Sequence, residues 1–278
     1  MGLVDTVLFP GSIFHYTKED NLPIVIIQHT IKTSYGKEIK EYPCLVVESD
    51  LKPKEDLINV LYYHGNGESL ANVYKTAISA CKDYPLRIIA PEYAGYGFRP
   101  GRQTEENSYD MVDACIRYIV KYHTFDNGCK APLVVAGYSI GSGLACETAK
   151  RYPSCISLLV LIGGFTSIHD VGYELYGSAI CLIRNRFKNL EKIKQYKGKV
   201  IFIHGKYDKT IPISHSQIMY KNCPSKEKYL IILNRTHVFF EWGYYIFKPI
   251  VHLLNNTSNP FKKVKESLEN SNCRKSMK

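Results

Sequence analysis

The sequence lacks a long apolar run. None of its 278 residues belongs to a stretch approaching the roughly 18 apolar residues that a membrane-spanning helix needs. Asp5 and Pro10 also interrupt the start of the chain, where a secretory signal would place its apolar segment. We therefore expect neither a membrane span nor a secreted protein.

Cysteine motifs are also missing. The chain has nine cysteines, an odd number, and no two of them have the C-x-x-C spacing of zinc-binding and redox sites. Several lie in apolar runs or on the apolar faces of predicted helices, namely Cys81, Cys115, Cys146 and Cys181. This pattern predicts buried free thiols in a reducing compartment, and no catalytic cysteine.

A nucleic-acid motif does not accompany the positive charge. The formal net charge is +10, yet the sequence has no zinc spacing, no RNA-binding signature and no basic stripe interleaved with aromatic residues. We therefore expect no nucleic-acid partner. Part of the charge falls in residues 256–278, which we expect to form a basic, flexible tail. Such a tail serves solubility or weakly attracts the chain to an anionic membrane.

The first six residues, MGLVDT, fit the N-myristoylation pattern, with Gly2 as the modified residue. One myristoyl chain binds a membrane only marginally, so a second signal such as the basic tail would be required. We expect a cytoplasmic protein, with peripheral contact on the cytosolic face of a membrane as the alternative. The oligomeric state remains open.

Apolar runs alternate with helical periodicity along most of the chain. The runs predict strands, the first two antiparallel, at 24–31, 43–48, 58–63, 86–91, 132–138, 156–162, 199–204 and 227–233. Continuously apolar strands joined by helical crossovers indicate an α/β fold with a mostly parallel sheet and helices on both faces. We expect one domain over 1–255, in which the less regular stretch 163–197 forms a small cap.

Gly137-Tyr138-Ser139-Ile140-Gly141 matches the G-x-S-x-G motif, between a predicted buried strand and a predicted helix. The tight turn leaves no room for side chains at the two glycines, and it exposes the hydroxyl of Ser139 at the carboxyl edge of the sheet. The amide of Ile140 then faces the position where negative charge develops in acyl transfer. The motif predicts Ser139 as a nucleophile.

A serine nucleophile needs a base, and the base needs an orienting acid, in the chain order Ser, acid, His. Asp208 follows a predicted strand, and His237 follows the next one. We therefore predict a triad of Ser139, Asp208 and His237. Asp170, after the preceding strand, is the main alternative acid. His169 precedes the acid and His252 lies within the last helix, so neither fits the order.

His64-Gly65-Asn66-Gly67 ends an earlier predicted strand. Its glycines allow backbone amides to face the site, so we predict the amide of Asn66 as the second oxyanion donor beside that of Ile140. A plain strand-to-helix turn is the alternative interpretation. We expect structural roles for His64 and His204.

Five segments together resemble a known family: HGNG at 64–67, PEYAGYG at 91–97, GYSIGSG at 137–143, HGKYDKTIP at 204–212 and the late His237. The set is similar to the alpha/beta-hydrolase-domain proteins of the Bem-forty-six-like group, and most similar to their seventeen branch, which contains protein depalmitoylases. The resemblance covers about residues 40–255. It implies the alpha/beta-hydrolase fold, the same triad, no metal and no diffusible cofactor.

The resemblance implies hydrolysis of thioesters on membrane-bound proteins, with two departures. That branch has a cysteine-rich, palmitoylated N-terminus, where this chain has the Gly2 pattern, and it usually has Gln at the position of Tyr138. The alternatives are a lipid or small-ester hydrolase and a non-catalytic binding module on the same fold. An acyl chain could bind to aromatic residues that otherwise pack in the core: Tyr93, Tyr96, Phe165 and Phe240.

Overall fold

The computed structural model describes residues 21–34, 36–122, 131–177, 185–237 and 246–254. Its strands are β1 (Ile24–Thr33), β2 (Gly36–Glu48), β3 (Ile58–Tyr63), β4 (Leu86–Pro91), β5 (Leu133–Tyr138), β6 (Leu158–Ile162), β7 (Val200–Gly205) and β8 (Lys228–Leu233). Its α-helices are α1 (Leu70–Asp83), α2 (Glu105–Tyr122), α3 (Gly141–Arg151), α4 (Ile168–Tyr176), α5 (Asn189–Ile193), α6 (Ser214–Asn222) and α7 (Lys248–Leu254).

The eight strands form one sheet in the order β1-β2-β4-β3-β5-β6-β7-β8. The first hairpin is antiparallel, and β2 also runs antiparallel to β4. All pairs from β4 through β8 are parallel. The carboxyl ends of β3, β5, β6, β7 and β8 therefore meet at one edge of the sheet, where ligands bind in open parallel sheets.

Two apolar layers cover the sheet, one on each face. Successive residues of a strand point to opposite faces, so Leu61 and Val135 belong to one buried cluster while Val60 and Val134 belong to the other. Every residue of β3, β4, β5 and β7 is buried. This explains why these strands appear in the sequence as continuous apolar runs, and it confirms the predicted mostly parallel sheet.

The predicted strands match the structure to within two residues, except that β2 begins at Gly36, seven residues before its predicted start. The first two strands are antiparallel as expected. Gly2, Cys181, Phe240 and the tail 256–278 lie outside the described residues. The stretch 163–197 contains α4 and α5 in its described part; its function as a cap stays a prediction.

Two sequence expectations concern the whole chain. In the described ranges, no helix combines the length and apolar character needed to cross a membrane. The cysteines within them are free thiols, and Cys81, Cys115 and Cys146 are buried as predicted.

Candidate active site

Ser139 occupies a strained turn between β5 and α3. Its φ angle is +52°, in the left-handed region that residues with a side chain rarely adopt. Such a conformation costs of order 1–3 kcal/mol and persists only where the surroundings enforce it. Here the amide of Ser139 donates to the carbonyl of Ile162 at 2.8 Å, and the amide and hydroxyl of Ser142 both donate to the carbonyl of Ser139. The turn is therefore held from both sides.

The two glycines of the motif are required by crowding, as predicted. A Cβ at Gly137 would lie 2.3 Å from the carbonyl oxygen of Gly141. A Cβ at Gly141 would lie 2.1 Å from the carbonyl oxygen of Tyr63, at the end of β3. The start of α3 thus packs directly against the segment that leads into HGNG.

Ser139, His237 and Asp208 lie in one hydrogen-bonded chain. Nδ1 of His237 is 2.6 Å from Oδ2 of Asp208, and Nε2 is 3.0 Å from Oγ of Ser139. An ionised carboxylate only accepts hydrogen bonds, so Nδ1–H is the donor and Nε2 of the neutral ring is free to accept from the serine hydroxyl. This is the arrangement that nucleophilic acyl transfer requires. The structure therefore brings the three predicted residues together, and their catalytic roles remain to be tested.

Asp208 is held as an anion. Its side chain is fully buried, which would raise its pKa, but hydrogen bonds from His204, His237 and the amide of Ile211 lower that pKa well below the usual value. The amides of Thr210 and Ile211 donate to Oδ1 at 2.9 and 2.8 Å. The carboxylate is thereby fixed in charge and orientation, as the orienting acid of a triad must be.

His204 contributes to this site in a way that the sequence did not reveal. Its Nε2 lies 2.9 Å from the carbonyl of Ile211 and 3.3 Å from Oδ2 of Asp208, and its Nδ1 is 2.7 Å from the hydroxyl of Ser216. The buried ring thus supports the acid loop, in keeping with the structural role predicted for it. The alternative acid, Asp170, lies instead in the first turn of α4. Its carboxylate accepts from the Thr166 hydroxyl, and its amide donates to the Ser167 hydroxyl.

The predicted oxyanion donors follow neighbouring strands. Tyr63 of β3 pairs with Gly137 of β5, so the turn containing Asn66 and the start of α3 at Ile140 lie at the same sheet edge. The first amides of a helix have no partner within the helix, so that of Ile140 is suited to bind an anion. Asn66 is exposed on the turn, and its Oδ1 accepts from the Tyr96 hydroxyl. Both assignments stay predictions.

His64 and Glu92 form a buried pair beneath that turn. Nε2 of His64 faces Oε1 of Glu92 at 3.1 Å, and Nδ1 faces the carbonyl of Gly65 at 3.0 Å. Both partners are acceptors, so the ring satisfies them only as an imidazolium. Burial lowers the pKa of His64, but the hydrogen bond and charge of Glu92 more than compensate and raise it. Sequence reasoning gave His64 a structural role without finding its partner.

Three of the four aromatic residues considered for an acyl chain are buried within the core. Tyr93 and Tyr96 are fully buried and pack against the ring of His64. Phe165 is 1% exposed and packs against Phe187. Core packing, the alternative interpretation, therefore accounts for them.

Comparison with known proteins agrees with this architecture. A family model described as the alpha/beta hydrolase fold matches residues 58–179. The chain is 27% identical to alpha/beta hydrolase domain-containing protein 17B of Homo sapiens over 197 residues, 69% of this chain and 62% of that protein. The Xenopus tropicalis protein of the same name is 28% identical over 194 residues, with the same coverage. The chain thus spans about 62% of the length of these relatives.

A solved structure supports the fold independently. The esterase Pf2001 of Pyrococcus furiosus superposes with a TM-score of 0.60 at 14% identity, covering 85% of this chain and 93% of the esterase. At this identity the likeness concerns the fold alone.

The chain has the alpha/beta-hydrolase fold that its sequence predicted. Its sequence is similar to the alpha/beta hydrolase domain-containing proteins of the 17 branch, as its motifs predicted.

Proposed function

We propose that the chain hydrolyses acyl thioesters or esters through nucleophilic attack by Ser139, and that lipidated membrane proteins are its substrates. The observation that carries the proposal is the hydrogen-bonded chain from Ser139 through His237 to Asp208, which begins at a strained turn. A non-catalytic binding module would have no need to maintain this strain and both hydrogen bonds.

The proposed reaction has two acyl-transfer steps. Nε2 of His237 accepts the hydroxyl proton of Ser139 while Oγ bonds to the substrate carbonyl carbon, and the electron pair of the carbonyl moves onto its oxygen. Collapse of this intermediate expels the thiolate or alkoxide, to which His237 returns the proton. Water then repeats the sequence, releasing the carboxylic acid and free Ser139. Asp208 stabilises the imidazolium in both steps.

The oxyanion of each intermediate is assigned to the backbone amides of Ile140 and Asn66. One lies at the start of α3 and the other in the turn after β3, on neighbouring strands of the sheet. Loss of one such donor typically costs about 10²–10³ in rate.

The substrate class is supported by the sequence similarity to the 17 branch, whose resemblance implied depalmitoylation. The net charge of +10 would favour approach to an anionic membrane surface, where lipidated proteins reside. A lipid or small-ester hydrolase is the competing assignment, because the same site geometry would serve each of these acyl groups.

A fluorophosphonate probe tests the nucleophile. Purified wild-type chain should be labelled, labelling should vanish in Ser139→Ala, and it should weaken in Asp208→Asn and His237→Ala. Circular dichroism of each variant controls for folding. A folded wild-type chain that is not labelled would exclude the proposed mechanism and favour a binding module.

Substrate competition tests the acyl group. A palmitoyl-cysteine peptide, a monoacylglycerol and a short p-nitrophenyl ester are compared by kcat/KM, with Ser139→Ala as the blank. The proposal expects the thioester to be cleaved most efficiently. Preference for the glycerolipid or activity on the short ester alone would overturn the substrate assignment and leave the nucleophile intact.

A further inference from the structure

We infer that Tyr138, the residue before the nucleophile, is a positioning residue that holds the base His237 in line with Ser139. The inference rests on the proposed function, because it assigns His237 the part of general base. It concerns a side chain to which the motif itself gives no role, since the position between Gly137 and Ser139 is variable in G-x-S-x-G.

Two contacts join Tyr138 to His237. The tyrosine hydroxyl donates to the backbone carbonyl of His237 at 2.8 Å. The two rings also lie face to face, with centroids 5.4 Å apart and planes inclined by 29°. Tyr138 is 7% exposed and ends β5, whose pairing with β6 fixes its backbone. A rigid strand thus reaches the main chain and the ring of the base.

The base needs this support because it follows β8 on a loop. That loop is tied to the acid loop where the amide of Tyr207 donates to the carbonyl of Arg235 at 3.0 Å. This backbone hydrogen bond helps to position His237 relative to Asp208. Relative to Ser139, the imidazole is positioned by one hydrogen bond of 3.0 Å between Nε2 and Oγ. Tyr138 adds a link between the backbone of the base and the strand that carries the nucleophile.

Neighbouring glycines leave room for the tyrosine and imidazole rings. A Cβ at Gly65 would lie 2.6 Å from Cδ1 of Tyr138. A Cβ at Gly163, whose φ is +54°, would lie 3.4 Å from Cε1 of His237 and 3.8 Å from Cε2 of Tyr138. The tyrosine ring therefore lies between the turn that contains Asn66 and the loop that carries His237. Loss of the ring would remove a packing contact from both segments.

Steady-state kinetics on a short p-nitrophenyl ester test the inference. Tyr138→Phe keeps the ring and removes one hydrogen bond, so kcat should fall about 3- to 10-fold with KM nearly unchanged. Tyr138→Leu removes the ring as well and should lower kcat about 10²-fold, the effect of a base displaced by about 1 Å. Tyr196→Phe is the matched control. Its buried hydroxyl also donates to a carbonyl, that of Lys199, at the opposite edge of the sheet.

Proton NMR supplies a reading that stability alone would not change. The downfield resonance of the His237–Asp208 hydrogen bond, assigned by its loss in Asp208→Asn, should broaden in Tyr138→Phe and stay sharp in Tyr196→Phe. Wild-type kcat and an unchanged resonance in Tyr138→Phe would overturn the inference, as would an equal loss in Tyr196→Phe. Fluorophosphonate labelling of the wild type separates the two claims, because its absence defeats the proposed function itself.

Discussion

Gly141 and Tyr63 meet backbone to backbone, at a separation that leaves no space for a Cβ between Gly141 and the carbonyl oxygen of Tyr63. The contact joins the first residue of the helix that follows Ser139 to the last residue of the strand that leads to Asn66. The spacing between the nucleophile turn and the predicted oxyanion turn is therefore set by main-chain atoms, which cannot adjust as a side chain can.

Gly141→Ala is expected to lower stability and activity together. A Cβ 2.1 Å from a carbonyl oxygen forces the backbone to move, and overpacking of this kind typically costs about 1–3 kcal/mol. Urea unfolding and turnover of a short ester measure the two effects. Gly164→Ala is the matched control at the same sheet edge, because its Cβ would meet the flexible end of Met219 at 3.0 Å. Equal stability of the two variants would contradict the prediction.

Asp208→Asn is expected to lower kcat about 10⁴-fold, the loss typical of a triad whose base takes the wrong tautomer. The asparagine amide can donate its NH₂ group to Nδ1 of His237. The imidazole then carries its proton on Nε2 and cannot accept the proton of the Ser139 hydroxyl. Turnover at saturating substrate measures the loss. Asp170→Asn is the control, because Asp170 was the alternative acid and is bonded to Thr166. A larger loss in Asp170→Asn would reverse the assignment.

The sequence predicted the sheet well because strands leave local patterns, and the proposed nucleophile also rests on a local pattern. Strands buried on both faces leave continuous apolar runs, and those of β3, β5 and β7 stand between helical segments. Ser139 is marked by glycines two residues away on either side, and the predicted acid and base each follow a strand in the expected chain order. The signals for the strands and for Ser139 lie within a few residues of the features they predict.

The supporting contacts could not be predicted because they join distant parts of the chain. Tyr138 and His237 are 99 residues apart in sequence, and His64 and Glu92 are 28 apart. Whether such side chains meet depends on strand register and on the direction of each side chain at the sheet edge. His64 can be identified as an imidazolium only when both of its hydrogen-bond acceptors are known, and one of them is a backbone carbonyl.

His64 is expected to make stability depend on pH. Its pKa is raised in the folded state by Glu92, so the folded state binds its proton more tightly than the unfolded chain does. The resulting stabilisation is complete below the unfolded pKa of about 6.5 and is lost as pH rises through the higher folded value. The unfolding free energy of the wild type should therefore decline above about pH 6.5.

His64→Gln and Glu92→Gln should both flatten this decline, because each removes one member of the pair that retains the proton. Urea titrations between about pH 6 and 9, across the range where His titrates, measure the profiles. Both variants should also be less stable at neutral pH, by about 3–5 kcal/mol where a buried charge loses its partner. Profiles parallel to that of the wild type would show that His64 is neutral when folded.

Lys192 and Glu147 form a second buried pair, between α5 and α3. Nζ of Lys192 lies 2.9 Å from Oε2 of Glu147, and their side chains are 8% and 5% exposed. Burial would raise the pKa of Glu147, but the charge and hydrogen bond of Lys192 lower it. Lys192→Met removes the cation and leaves a buried carboxylate. Arg151, which bonds Oε1 at 2.8 Å, compensates it in part.

We expect Lys192→Met to lower the unfolding free energy by about 3 kcal/mol, the low end of the range for breaking a buried pair, because Arg151 remains. Thermal and urea unfolding measure the loss. Lys188→Met is the matched control, since its 3.8 Å pair with Glu191 is largely exposed and should contribute less than about 1 kcal/mol. Neither residue of the pair belongs to the hydrogen bonds that join Ser139, His237 and Asp208, so folded Lys192→Met should keep its kcat. A loss no larger than that of Lys188→Met would mean that water reaches Glu147 and screens its charge.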